Sequence, residues 1–370
     1  MGALDGLLVV AIEQAVAAPM CTLRLADAGA RVIKIERDEG ETARNYDSAV
    51  KGTSAYFAWL NRGKESAVLN LKDQEDFAVV RSMLAKADVF VQNLVPGAID
   101  RLGLSPDEMK RDFPHLITVS IVGYGQDTPY ANMRAYDMLV QAESGLCSVT
   151  GTDDTPSKIG VSAADIATGM NAHAAVLEAI IGREKTKQGQ HIEIAMFDGI
   201  ADWMAVPLLH YEHTGNVTGR YGLSHASIYP YRPFKCSDGT LIVAIQNNSE
   251  FDRFCKTVVH KPELIERDEF TNNSRRVTNR DALDAELEPI FAQLSVEVAI
   301  QRLRTAALAY GRYTSLDALP QHSALRQLKI TLPDGQTATV PRPAGRNNQF
   351  SPGPVPALGA QTARIKAEFG

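Results

Sequence analysis

Short apolar runs alternate with helix-length segments through the first third of the chain, and nothing else in the sequence restricts its fold so strongly. The run Leu7 to Ile12 predicts a strand, and AVAAPMCTLRLADAGA after it predicts a helix that stops at Gly29. Arg31 to Glu36 predicts the next strand, so the three segments make a β-α-β unit with the usual right-handed parallel crossover. The pattern continues with a strand at Ser66 to Asn70, a helix at Asp73 to Lys86, and strands at Val89 to Gln92 and Leu116 to Ile121. Such alternation specifies an α/β architecture with a Rossmann-like parallel sheet.

Farther along, DIATGMNAHAAVLEAIIGR at 165 to 183 has the cleanest helical period, with Ile166, Met170, Ala174, Leu177 and Ile181 on one stripe. HIEIAMFD then reads as a strand. The character changes near 222: SIYPYRPFKCSDGTLIVAI predicts a β-hairpin turning at Ser237, Asp238 and Gly239, followed by helices to about 307. A last strand pair, LKITLPDGQTATVPRP, turns at Pro333, Asp334 and Gly335 before a Pro/Gly-rich tail and a short helix. At roughly 150 residues per domain, 370 residues suit a discontinuous large domain, 1–221 with 326–370, and a small α+β domain, 222–325.

Composition narrows the function classes. With 45% hydrophobic and 22% charged residues the chain has the means to build a core, which excludes disordered and fibrous proteins. Its net charge of −6 supplies no basic field for nucleic acid or an acidic membrane surface. No apolar stretch approaches the roughly 18 residues of a membrane span. Cys21, Cys147, Cys236 and Cys255 are scattered without disulfide or zinc-like spacing, so a reducing, cytoplasmic location is expected. GxSxG and HExxH are absent, RGKES at 62–66 lacks the upstream glycine of a phosphate loop, and His210 with His213 gives too few ligands for a metal. No metal is expected. On the residues alone, Asp165 before its long helical period reads as a helix N-cap.

Taken together, VIKIERDEGE, FAWLNRGKESAVLNLK, ADVFVQNLVPGAIDRLGLS, AYDMLVQAESGL, VSAADIATGMNAHAAVLEAIIGREKTKQGQHIEIAMFDG and CSDGTLIVAI resemble the class III CoA-transferases, the family of formyl-CoA transferase and the α-methylacyl-CoA racemases. The resemblance runs in order over essentially the whole chain. It implies that Asp165, in SAADIATG, is a nucleophile, kept ionised by the nearby helix amino end. It also implies CoA contacts from Val16, Ala17, Ala18, Arg37, Lys72, Asn93, Leu94, Arg101 and Arg134, since CoA's phosphates need placed cations. CoA itself is the co-substrate and no other cofactor is implied. The family's members are interlocked-ring homodimers, so a second copy of the chain is the expected partner.

Departures from the family pattern choose among its activities. Tyr136 and Gln246 stand where the racemases have a histidine and a glutamate, and neither is a general base near neutral pH. Asp137 occupies the place of an assisting glutamate in formyl-CoA transferase. The glycine-rich active-site loop of that enzyme is replaced by RYGLSHASIYPY, which offers His225, Ser227 and Tyr229. GYGQDTPYANMRAYDMLVQAESGL and ADWMAVPLLHYEHTG resemble the branch acting on itaconate, mesaconate and citramalate. The expected reaction is therefore CoA transfer from succinyl-CoA, or a similar acyl-CoA, to such a dicarboxylate, with Arg44 and His225 as candidates for its spectator carboxylate. Intramolecular transfer within mesaconyl-CoA and a non-catalytic CoA-ester-binding protein are the rival readings.

Overall fold

Strands apolar on both faces need cover on both faces, and the larger unit supplies it. A computed structural model describes residues 2–370. They form two units: one holds the residues through Leu146, Lys158–Leu208 and Arg326–Gly370, the other Cys147–Ser157 and Leu209–Leu325. In the larger unit β1 (Leu8–Ile12), β2 (Arg31–Glu36), β3 (Lys64–Val68), β4 (Val89–Gln92), β5 (Ile117–Val122) and β6 (His191–Ala195) lie in the order β3-β2-β1-β4-β5-β6. All neighbouring pairs are parallel. This is the doubly wound order, whose winding reverses between β1 and β4 and leaves a crevice beyond their carboxyl ends.

Successive residues of one strand enter opposite cores. Val9 and Ala11 join Val32, Val89 and Val91 on one face, whereas Val10 and Ile12 join Ile33, Ile35 and Phe90 on the other. Four helices matter for the site: α1 (Ala17–Asp27), α2 (Gln74–Lys86), α3 (Asp137–Glu143) and α4 (Ala163–Thr186). Asp73 caps α2 by accepting from the amides of Glu75 and Asp76. The smaller unit has an antiparallel sheet of β7 (Tyr231–Cys236), β8 (Gly239–Ala244) and β9 (Ala309–Arg312), covered by a core that includes Phe234, Phe254 and Phe291. Strands β10 (Gln327–Thr331) and β11 (Thr337–Pro341) form a separate antiparallel ribbon. Among the described residues no helix is long and apolar enough to cross a membrane.

The structure departs from the sequence expectations at identifiable places. β3 begins at Lys64, two residues ahead of the expected start, because the Lys64 ammonium is buried against acids rather than left in a loop. HIEIAMFD changes from strand to helix at Met196. In α4 the expected apolar stripe points the wrong way: Met170 and Ile181 are 52% and 64% exposed, while Ala164, Ala167, Gly169, Ala172 and Val176 are buried. Small residues win that face because α4 lies against α1. A Cβ on Gly169 would stand 2.4 Å from the Ala17 carbonyl oxygen and 2.6 Å from Met20 Cβ.

The carboxy-terminal segment returns to the edge strand. Backbone N–H groups of Ser66 and Val68 donate to the side chains of Gln361 and Thr362, and the Gln361 amide donates to the Ser66 carbonyl. The outer rim of β3 is thereby covered.

Two glycines of α4 provide a test of the close packing. Replacing Gly169 with alanine should destabilise the protein by about 1–3 kcal/mol, since overpacking outweighs the gain in helix propensity. Gly182→Ala, where an added Cβ meets nothing within 4 Å, should stabilise by about 1 kcal/mol. Urea unfolding checks both, and equal effects of the two changes would refute this account of the α1–α4 contact.

Candidate active site

The turn from β1 into α1 lies at the switch point, and side chains from neighbouring segments hold its backbone. Asn93, just after β4, accepts from the Gln14 amide and donates to the Gln14 carbonyl, both at 2.9 Å. Ala15 has a left-handed φ of 60°, a conformation unfavourable for a residue with a Cβ. Its N–H donates to Glu41 Oε2 at 2.7 Å, and Glu41 Oε1 accepts from Lys34 Nζ at 2.7 Å. Lys34 also reaches Glu13 Oε1 at 3.3 Å, and Lys64 donates to the same oxygen at 2.7 Å and to the Pro19 carbonyl at 3.1 Å.

Glu13, Lys34, Glu41 and Lys64 are all buried. Burial opposes ionisation of Glu13, but Lys34 and Lys64 outweigh it and hold its carboxyl near a pKa of about 2. Burial lowers Lys64 to about 8 despite Glu13. Lys34 faces the same desolvation, yet Glu13 and Glu41 raise its pKa. Sequence reasoning missed this cluster. Its signal was the lysine between Ile33 and Ile35 in a strand covered on both faces, where a charge must be paired.

Asp165 is the third residue of α4, not its cap: Ser162 is the N-cap position and makes no side-chain cap bond. Asp137 does the capping instead. Its Oδ1 accepts from the amides of Ala164 at 2.8 Å and Asp165 at 3.4 Å, and its Oδ2 accepts from Gln141 Nε2 at 2.8 Å. Gln141 is fully buried and fixed in turn by the Ile159 amide, which donates to its Oε1 at 2.9 Å. The half-buried Asp165 carboxylate has no hydrogen bond or ion pair among the described residues. Burial, and then the Asp137 charge, pushes its pKa up to about 7. The helix amino end therefore does not keep it ionised as expected, because a second acid already occupies the amides. Ile166, next to Asp165, and Ala15 both pack against the buried cluster of Val16, Met20, Leu23 and Leu60, which joins this helix turn to the β1–α1 turn.

The other candidates divide by location. Val16, Ala17 and Ala18 form the buried start of α1, and Asn93 and Leu94 follow β4. Arg37, Lys72, Arg101 and Arg134 lie in the segments that follow β2, β3, β4 and β5, respectively. These four cations are exposed. Arg44 is committed elsewhere: Nε and Nη2 donate to Glu36 at 2.7 Å each, and its guanidinium stacks 3.8 Å from the centre of Phe57. His225 belongs to the smaller unit, where Nδ1 accepts from the Ser227 amide and the ring stacks on Tyr231. Tyr136 is 70% exposed, and Gln246 lies in the smaller unit. A cleft of about 460 Å³ bordered by Asp27, Gly63 and Arg346 includes none of these residues.

Comparison with known proteins gives this geometry its context. The family model described as CoA-transferase family III matches residues 4–362. Acetyl-CoA:oxalate CoA-transferase of Acetobacter aceti is 34% identical, over 100% of this chain and 96% of its own. Succinyl-CoA:glutarate CoA-transferase of Mus musculus is 32% identical, over 100% and 86%. Succinyl-CoA:mesaconate CoA-transferase of Haloarcula marismortui is 30% identical, over 94% and 93%. A solved structure of a CAIB/BAIF family protein from Brucella suis superposes with a TM-score of 0.82 at 33% identity, covering all of both chains. With the family's sequence pattern spanning nearly its full length and its fold shared throughout, the chain belongs to CoA-transferase family III and is a CoA-transferase.

Proposed function

We propose that this enzyme moves CoA from succinyl-CoA, or a similar acyl-CoA, to a C4 or C5 dicarboxylate such as itaconate, mesaconate or citramalate, with Asp165 as nucleophile. One observation carries the assignment: Asp165 is a half-buried carboxylate without a polar partner, beside the turn at the switch point. A structural carboxylate in such a place would cap or pair, and Asp137 shows what that looks like. A carboxylate with a pKa of about 7 is also more basic, and so a better nucleophile, than an ordinary one.

The steps balance through Asp165 alone. Its oxygen attacks the donor thioester carbonyl, the C–S bond breaks, and an acyl-aspartyl anhydride forms as CoA thiolate leaves. The thiolate attacks the aspartyl carbonyl, which releases the donor acid and leaves an aspartyl-CoA thioester. The acceptor carboxylate displaces the thiolate to form a second anhydride. Thiolate attack on the acceptor's carbonyl then yields the new acyl-CoA and restores Asp165. Val16, Ala17, Ala18, Asn93 and Leu94 would line the pantetheine path, and Arg37, Lys72, Arg101 and Arg134 would meet the phosphates. Asp137 sets the basicity of Asp165 and orients its helix. Arg44 is assigned to the loop it pairs with, and His225 is kept for the acceptor's spectator carboxylate.

Support for the substrate class comes from the relatives, whose names specify oxalate, glutarate and mesaconate, all dicarboxylates accepting CoA from a separate donor. The large apolar side chains exposed on this chain, Met170, Ile181, Trp203, Val206 and Leu208 among them, support a homodimer in which a second copy covers some of them.

Asp165→Asn should lower transfer by about 10³-fold or more, the scale on which removal of a covalent nucleophile acts; activity within tenfold of wild type would sink the mechanism. The same variant should raise stability in a pH-dependent way. Because the folded-state pKa lies above the usual 3.8, the folded protein binds the extra proton between these values, and ionisation costs stability as pH rises to about 7. The melting-temperature gain of the variant should thus widen from pH 4 to 7 and then level off. In a panel of free acids with succinyl-CoA, C4 and C5 dicarboxylates should be the fastest acceptors, and a preference for oxalate would overturn that assignment. Light scattering on the eluting protein should give the mass of two chains; one chain's mass at micromolar concentration would refute the dimer.

A further inference from the structure

We propose that Glu41 is a positioning residue for CoA transfer: it spans from the buried Lys34 ammonium to the Ala15 amide and holds the β1–α1 turn in the shape that faces Asp165. This rests on the reading of Asp165 as nucleophile and of that turn as the pantetheine path. Both carboxylate oxygens of Glu41 are used, Oε1 by Lys34 and Oε2 by Ala15, each at 2.7 Å. The side chain is nearly fully buried, so neither donor has water as a substitute acceptor.

Ala15 gives the arrangement its purpose. An alanine at φ 60° tends to relax to negative φ, and relaxation would swing the peptide that starts α1. The Glu41 oxygen opposes this from one side, and the reciprocal pair between Asn93 and Gln14 opposes it one residue earlier. Displacement would be felt at Asp165, since Ala15 and Ile166 pack against the same cluster of Val16, Met20, Leu23 and Leu60 and the Ala17 carbonyl rests against Gly169. Glu41 itself is kept in place from behind: its amide donates to Glu36 Oε2 at 3.2 Å, and Glu36 is gripped by Arg44 and Ser66. Arg44 thus contributes to the turn through Glu36.

Two substitutions separate the length of the arm from its charge. Glu41→Asp keeps the charge opposite Lys34 but is one methylene too short to reach both donors. Glu41→Gln keeps the length but can accept from only one of the two donors, and its NH2 group faces the other without the charge that Lys34 pairs with. Each should lower kcat by about 10- to 100-fold, the scale of a misplacement near 1 Å, while CoA affinity falls by less than kcat because the phosphate-binding cations are untouched. Adding Ala15→Gly should restore kcat to within about threefold of wild type, because glycine holds φ 60° without assistance. A merely structural role, neutralising Lys34, would not respond to a change at Ala15. Wild-type kcat in Glu41→Asp, or a loss that Ala15→Gly does not recover, would overturn the proposal; should Glu41→Gln fail to fold, the aspartate pair carries the test. Hydroxylamine trapping on wild-type enzyme with succinyl-CoA, followed by peptide mass analysis, tests Asp165 separately: a hydroxamate at Asp165 is expected, and its absence overturns the nucleophile assignment whatever Glu41 does.

Discussion

A sheet covered on both faces can contain an ionised side chain only opposite a counter-charge, and this enzyme places four such groups at one spot. Glu13 follows directly on β1, Lys34 lies within β2, Lys64 opens β3 and Glu41 comes from the loop after β2. Two cations and two anions cancel. Removing one partner of a buried pair typically costs about 3–5 kcal/mol, because the other is stranded. The same groups bond the backbone of the β1–α1 turn at Glu13 and Ala15 and that of the first turn of α1 at Pro19. Interior neutrality and the path of the turn are therefore one constraint, and α1, the α4 contact and the placement of Asp165 follow from it.

Much of this scaffold is legible in the sequence, for physical reasons that also mark where legibility ends. Runs such as VIKIE and VFVQ must be strands because nothing else buries so many branched residues between turn signals. Asp73 and its helix follow local capping rules, and they read correctly. Long-range pairing is different. Lys64 belongs to a strand only because Glu13, 51 positions away, receives it. The buried stripe of α4 was misread because a close helix contact prefers alanine and glycine, while larger residues such as Met170 lie outside. Pattern reasoning equates bulk with core, and a packing distance set by a partner helix breaks that equation. At the candidate site the position of Asp165 is legible by family resemblance, but its environment is not: Gln141 meets Asp137 through i,i+4 spacing on one helix, and only the fold brings that pair to the start of α4, 27 positions on.

Two acids share one helix start with unlike fates. Asp137 receives the helix amides and the Gln141 amide, whereas Asp165, one turn in, receives nothing. A single acid could not both satisfy the helix and remain basic, since each hydrogen bond to a carboxylate lowers its pKa. Separating the roles leaves one carboxylate bonded and the other basic, and the cost of burying the unpaired one is borne by the folded state.

The covering of β3 also sets an order of events in the cell. Ser66 and its partner Gln361 are 295 positions apart. On a ribosome the doubly wound sheet can assemble early, but its β3 rim stays exposed until Gln361 and Thr362 have been added. Throughout that interval the nascent chain presents hydrogen-bonding groups that another copy could engage. The segment around Gln361 closes a hazard that synthesis of the first strands opens, so a chain arrested before it would carry the whole parallel sheet and an unguarded rim.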